Sequence, residues 1–243
     1  MTEKTKAIII LIAVAIAYYI FVEFIQFVPY YLLYGKGPFD PVSPSNDFHL
    51  STSYLISAFA QALFVYVLFN VIKTGKDCTN GKFNYKIDKF FYIALALGVV
   101  KLSYNFIPIC MPYWQSHNIA DLIISELVII VVFPIISELF YRHWTITFLE
   151  KYNFQPRTIC NISVIMYYAV NHIYYLTTLP GATEVYFVGI LLDALFYIAS
   201  GIILYQLYTK TRDVRYCIIM QMIIAATGAV IAAALHPYMF PHF

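Results

Sequence analysis

Charge is what this sequence has least of. Only 12% of its 243 residues are Asp, Glu, Lys or Arg, against 61% hydrophobic and 19% aromatic. A soluble domain carries roughly a quarter charged residues, so a water-facing surface for a chain this long is excluded. The net charge is +2 and the basic residues flank apolar stretches, so composition gives no reason to expect a nucleic-acid partner. Cysteine is also sparse. Cys78, Cys110, Cys160 and Cys217 lie far apart with no CxxC or CxxxH spacing, which excludes a zinc cluster and a disulfide framework and leaves four packing residues. No internal repeat or low-complexity segment is evident.

What is present is apolar sequence, in windows at about 7–33, 53–73, 90–112, 119–149, 158–179, 185–208 and 214–234. At about 1.5 Å of rise per residue, each is long enough to cross a hydrocarbon core of about 30 Å. The expected fold is an all-α polytopic membrane protein: one membrane domain over 1–243, with about seven transmembrane helices in one bundle. The first window follows Lys4 and Lys6 but runs far beyond the apolar region of a secretory signal and shows no clear cleavage site, so it reads as an uncleaved first span.

Orientation follows from the basic residues. Lys4 and Lys6; Lys73, Lys76, Lys82, Lys86 and Lys89; Arg142, Lys151 and Arg157; and Lys210, Arg212 and Arg215 make thirteen of the 15. All of them fall on alternate connections or the helix ends beside them. The positive-inside rule then places the N-terminus inside and the C-terminus outside. The long outer loop, 34–52, is rich in Gly and Pro; the inner loop, 74–89, carries Asn80-Gly81 and four lysines.

Ionisable groups inside such a chain demand a reason, since each costs at least about 2.5–3.5 kcal/mol to place in the bilayer. The candidates are Glu23, Lys101, Glu126, Glu138, Arg142, His172 and Asp193. Glu138 and Arg142 stand at i and i+4 with the acid first, the better order for an intrahelical pair. Such a pair serves either helix packing or a site, and Pro134 favours the site by loosening the helix one turn earlier. Tyr168 and His172 also share a helix face, and Asn171 adjoins His172. If the fourth span continues through Leu149, Glu138 lies about 17 Å and His172 about 21 Å from the inner side, so the two can meet. Asp193, one turn after Gly189, either joins them or pairs with a neighbouring helix or with Lys101. Glu126, about 18 Å along the helix from Glu138, belongs to the outer mouth, and Glu23 has no identifiable partner.

The segment Ser137-Glu138-Leu-Phe-Tyr-Arg142 resembles the Glu-Glu-x-x-x-Arg motif of the CPBP (Abi) family, which includes CAAX prenyl endopeptidases, lysostaphin-resistance-type proteins and bacteriocin self-immunity proteins. Tyr168-Ala-Val-Asn-His172 resembles its second motif, Phe-x-x-x-His. Pro134 and Phe187-Val-Gly189 also fit the pattern, and the likeness covers about 120–230. The resemblance implies a water activated by the first motif's leading Glu and the second motif's His, an oxyanion held by a third motif, His-x-x-x-Asn, and a supporting Glu–Arg pair.

Carried onto this chain, the leading Glu position is Ser137. Counting from Thr211, where the family has a Thr-Gly turn, the third motif falls on Gln221 and Ala225. The resemblance therefore implies Glu138, His172 and Gln221 as the catalytic set and Arg142 as structural partner; Asp193, Tyr168 and Asn171 are accessories by their helix positions, and one histidine with a paired glutamate is too few ligands for a metal, so no metal and no cofactor is expected.

Three functions follow. One is a degenerate family member acting by binding a membrane peptide, a bacteriocin or a membrane-protein partner, in a bacterial plasma membrane. The second is an active intramembrane endopeptidase with Glu138 or Asp193 as base. The third is a small proton-coupled transporter using Glu23, Lys101, Glu126 and Asp193, against which stand the short chain and the lack of an inverted repeat.

Overall fold

The computed structural model describes residues 2–34, 50–72, 89–105, 119–178 and 184–239, with side chains at 2–22, 25, 54–72, 89–101, 123–168 and 191–230. These residues form seven helices and no strand: α1 Glu3–Tyr34, α2 Leu50–Val71, α3 Lys89–Asn105, α4 from Ile119 to Lys151, α5 Pro156–Thr178, α6 Glu184–Thr211 and α7 Val214–Met239. A chain with so few polar side chains has to satisfy its backbone within each segment, and the helix does so. The expected multi-pass all-α membrane bundle is the observed fold. By length and composition, four described stretches suffice to cross a membrane: Glu3–Val22, Tyr54–Val71, Ile123–Lys151 and Leu191–Thr211; Val214–Val230 is a shorter apolar helix. Of the expected loops at 34–52 and 74–89, residue 34, residues 50–52 and Lys89 are helical and the rest lie outside the described residues, as do the side chain of Glu23 and the tail beyond Met239.

Local chemistry sets the helix ends. The Thr2 hydroxyl accepts the Thr5 amide at 3.2 Å and so caps α1, while Asp213 caps α7 by accepting the Arg215 amide at 3.0 Å. Asn153 and Arg212, both at φ 54, end α4 and α6 in the left-handed conformation. Asn tolerates this geometry; an arginine needs compensation. Arg212 has it: its Nη1 reaches both carboxylate oxygens of Glu150, at 2.7 and 2.9 Å.

Helix α4 is the axis of the bundle and changes pitch four times. It is α-helical over Ile119–Leu127, π-helical over Val128–Val132, α-helical over Phe133–Glu138, π-helical over Leu139–Trp144 and α-helical over Thr145–Lys151. The first widening has a clear cause. Pro134 donates no backbone hydrogen bond and its ring crowds the carbonyl four residues back, at Ile130, in the middle of that π-turn. Phe140, Tyr141, Arg142, Trp144, Ile146, Phe148 and Leu149, all on α4, are among the largest fully buried side chains.

Burial is inverted relative to a soluble protein. Ile9, Ile12, Ile16 and Ile20 of α1, Leu191 and Leu195 of α6 and Val230 of α7 face outward, whereas Glu138 and Arg142 are wholly enclosed. Helices α3 and α7 approach closely: a Cβ on Gly98 would stand 2.6 Å from Thr227 Cβ and 2.8 Å from the Ile224 carbonyl. The ends with basic residues gather on one side. Lys4 Nζ lies 5.6 Å from the Phe154 ring, joining the start of α1 to the α4–α5 turn, and Lys210 Nζ lies 5.8 Å from the Phe90 ring, joining the end of α6 to the start of α3. That is the alternation on which the orientation expectation rests.

Candidate functional site

The site forms at the third of the four changes of pitch in α4. Glu138 closes the short α-helical stretch and Arg142 sits inside the following π-turn, so the pair occupies the widened part of the helix. Glu138 Oε2 and Arg142 Nε are 3.6 Å apart, with both side chains at zero exposure. At that distance the attraction is Coulombic and not a hydrogen bond, and it is strengthened by the low-dielectric surroundings.

The remaining contacts come from other helices. Arg142 Nη1 donates to Ser163 Oγ on α5 at 3.2 Å, and Ser163 in turn donates to the Tyr141 carbonyl at 2.9 Å. The guanidinium carbon lies 4.7 Å from the centre of the Tyr167 ring, a cation–π contact. From α7, Gln221 Nε2 donates to Glu138 Oε1 at 3.1 Å and to the Tyr167 hydroxyl at 2.6 Å. One carboxylate and one guanidinium thus tie together α4, α5 and α7. Among the described residues, Glu138 Oε2, Arg142 Nε and Arg142 Nη2 are buried without a hydrogen-bond partner, as is the neighbouring Trp144 Nε1.

Residues 119–227 match the family model of type II CAAX prenyl endopeptidase Rce1-like proteins. Over those residues the chain is similar to the Rce1-like proteins of the CPBP family. The match begins at the first residue of α4 and ends one turn and a half beyond Gln221, leaving α1 to α3 outside it. No curated protein and no solved structure matches the chain.

Within the Rce1-like core, Glu138, Arg142 and Gln221 come together. Ser137 stands beside them in sequence, but its hydroxyl donates back to the Pro134 carbonyl at 3.3 Å. Ala225, one turn beyond Gln221, is half-buried and brings only a methyl group. Tyr168 interacts electrostatically with Asp193 of α6, and it is Tyr167 that reaches Glu138's neighbours. His172 and Asn171 belong to α5, and their side chains lie outside the described residues. Among the described residues no group of three His, Cys, Asp or Glu side chains is placed to hold a metal.

Ser163 and Tyr167 escape a search confined to charged groups and family motifs. Their signal is spacing: Ser163, Tyr167 and Asn171 recur at i, i+4 and i+8 on α5, a polar stripe along one face of an apolar helix. His143 also escapes it. Buried in the second π-turn, it shares a 2.9 Å hydrogen bond between its Nδ1 and the Tyr208 hydroxyl of α6 and stacks on Phe69 of α2 at 5.7 Å.

Proposed function

We propose that the Rce1-like site of this chain has become a clasp that does not hydrolyse peptides, and that the protein acts by binding a peptide or another protein within a bacterial plasma membrane, as in bacteriocin self-immunity or surface-protein regulation. The observation that carries this reading is Gln221. At the position where the resemblance calls for histidine, its amide donates to Glu138 and to Tyr167. An amide does not take up and return a proton near neutral pH, so this position supplies a hydrogen bond and no acid–base step.

Two further features support it. A serine hydroxyl at 137 is no base at neutral pH, and here it is spent on its own helix. Glu138 has no exposed surface, so an attacking water has no route to it without movement of the surrounding helices. One observation favours the competing reading of an active endopeptidase: Glu138 Oε2 keeps an unshared acceptor site beside Arg142.

The test restores the implied groups. Ser137→Glu, Gln221→His and Ala225→Asn together are expected to create or raise cleavage of a prenylated CAAX-type peptide by purified protein in lipid nanodiscs, while the wild type stays inactive. Absence of any gain in a folded triple variant counts against a merely damaged site. Cleavage by the wild type that His172→Ala abolishes overturns the binding reading.

A further inference from the structure

The turn between α4 and α5 is tightly closed and carries positive charge. Phe154 N–H donates to the Leu149 carbonyl at 3.4 Å and Asn153 N–H to the Glu150 carbonyl at 2.9 Å, which ends α4 around the left-handed Asn153. Phe154 is fixed by this turn, and the Lys4 ammonium of α1 lies over its ring. Lys151, the last residue of α4, and Arg157, the second of α5, stand three residues to either side of Phe154, which holds their Cα atoms within about 11 Å of it. Lys4, Lys151 and Arg157 are all exposed.

Among the described residues no carboxylate pairs with these three cations. Glu3 is taken by Lys6 at 2.7 Å, Glu150 by Arg212 at 2.7 and 2.9 Å and Asp213 by Arg215 at 2.6 Å. The connection from α2 to α3, residues 73–88, holds four lysines and two aspartates in its sequence, so it adds to the positive excess. Farther along α5 the outward face changes character. Arg157, Asn161 and Ile165 recur at i, i+4 and i+8 and are all exposed, Ile165 at 62%. Asn161 lies about 6 Å along the helix from Arg157, the depth of one headgroup layer, and Ile165 lies in the hydrocarbon beyond it. The Asn161 side chain makes no hydrogen bond among the described residues. An exposed amide at that depth is satisfied by the ester groups of a lipid and not by its acyl tails.

We infer that Lys4, Lys151, Arg157 and Asn161 form a headgroup site for an anionic phospholipid. The three cations bind its phosphodiester, and the Asn161 amide donates to an ester oxygen one layer deeper. A lipid supplies in order what this surface calls for: negative charge, then acceptors, then acyl chain along Ile165. A soluble anion supplies only the first. The bound lipid joins α1, which lies outside the matched residues 119–227, to the α4–α5 turn within them. The site does not depend on whether the Glu138 clasp hydrolyses or binds peptides.

The experiment titrates the full chain, purified in dodecyl maltoside, with dioleoyl phosphatidylglycerol or dioleoyl phosphatidylcholine and reads the dissociation constant of the first bound lipid by native mass spectrometry. Phosphatidylglycerol is expected to bind about tenfold tighter than phosphatidylcholine. Lys4→Gln, Lys151→Gln and Arg157→Gln each weaken it about fivefold, Lys151→Arg keeps it, and Asn161→Leu weakens both lipids alike. Lys210→Gln is the control, since Lys210 is also exposed but lies over Phe90 at another helix end, and it leaves the first lipid bound as before. Melting without added lipid checks that each variant is folded; should Lys4→Gln unsettle α1, Lys151→Gln and Arg157→Gln carry the test. Equal affinity for the two lipids, or equal weakening by Lys210→Gln, overturns the site. Displacement by inorganic phosphate at matched ionic strength reveals a soluble-anion site, displacement by tetraglutamate an acidic-peptide site, and either overturns the lipid assignment.

Discussion

Glu138 and Arg142 are enclosed to the same degree but are not satisfied to the same degree. Glu138 has one oxygen on Gln221, and Arg142 has one nitrogen on Ser163 and a ring face beneath it; the atoms that face each other stand at 3.6 Å. Removing one charge of such a pair costs more than the pair itself is worth, because the survivor is left in a medium that does not solvate it. Glu138→Gln is therefore expected to destabilise the folded protein by about 3–5 kcal/mol. A melting curve in detergent measures it, and adding Arg142→Met should recover part of the loss. Unchanged melting in the single variant would remove the clasp from the account. The pair was legible in the sequence because its spacing is local, i to i+4. Gln221, 83 residues from Glu138, was marked only by the family resemblance; Ser163, 21 residues from Arg142, and Tyr167, 54 from Gln221, were not marked, because only the packing of three helices chooses among the many hydroxyls available.

At the scale of elements, two devices position the clasp. The π-turns on either side of Phe133–Glu138 rotate α4 so that Glu138 presents itself to α7 and Arg142 to α5. Proline at 134 announced the first of these; nothing comparable in sequence announces the second. There, Thr145 donates its backbone N–H and its hydroxyl to the Phe140 carbonyl, the latter at 3.0 Å, closing the wider turn. The second device is the seat of α7 on α3. Gly98 is expected to be intolerant: Gly98→Ala forces the Ile224 carbonyl or Thr227 to move and should cost about 1–3 kcal/mol, read as a lowered melting temperature. Gly228→Ala, with open space before it, should cost no more than about 0.5 kcal/mol. Equal losses at the two glycines would mean that helix propensity and not contact decides them. The sequence also hid the turn before α7. Where the family resemblance has glycine after Thr211, this chain puts Arg212 in the left-handed conformation and anchors it to Glu150, a bond between residues 62 apart.

For the whole molecule, the gathering of Lys4, Lys89, the α4–α5 turn and Lys210 on one side gives each helix a definite direction through the bundle. The positive-inside rule then predicts that a cysteine added before Thr2 is labelled only from the cytoplasmic side of oriented vesicles and one added after Phe243 only from the opposite side. The reverse pattern would overturn that orientation. The amino-acid sequence by itself determined that this is a helical membrane protein, roughly where its helices run, and that Glu138 and Arg142 share a turn. Those properties follow from hydropathy and from helical periodicity, which act over a few residues. Tertiary structure alone decided that the Gln221 amide bonds Glu138 and Tyr167 together, and that Tyr167 and not Tyr168 reaches the clasp. Each depends on the rotation of one helix against another, and that rotation is set by the sum of many weak contacts with no signature in any single stretch of chain.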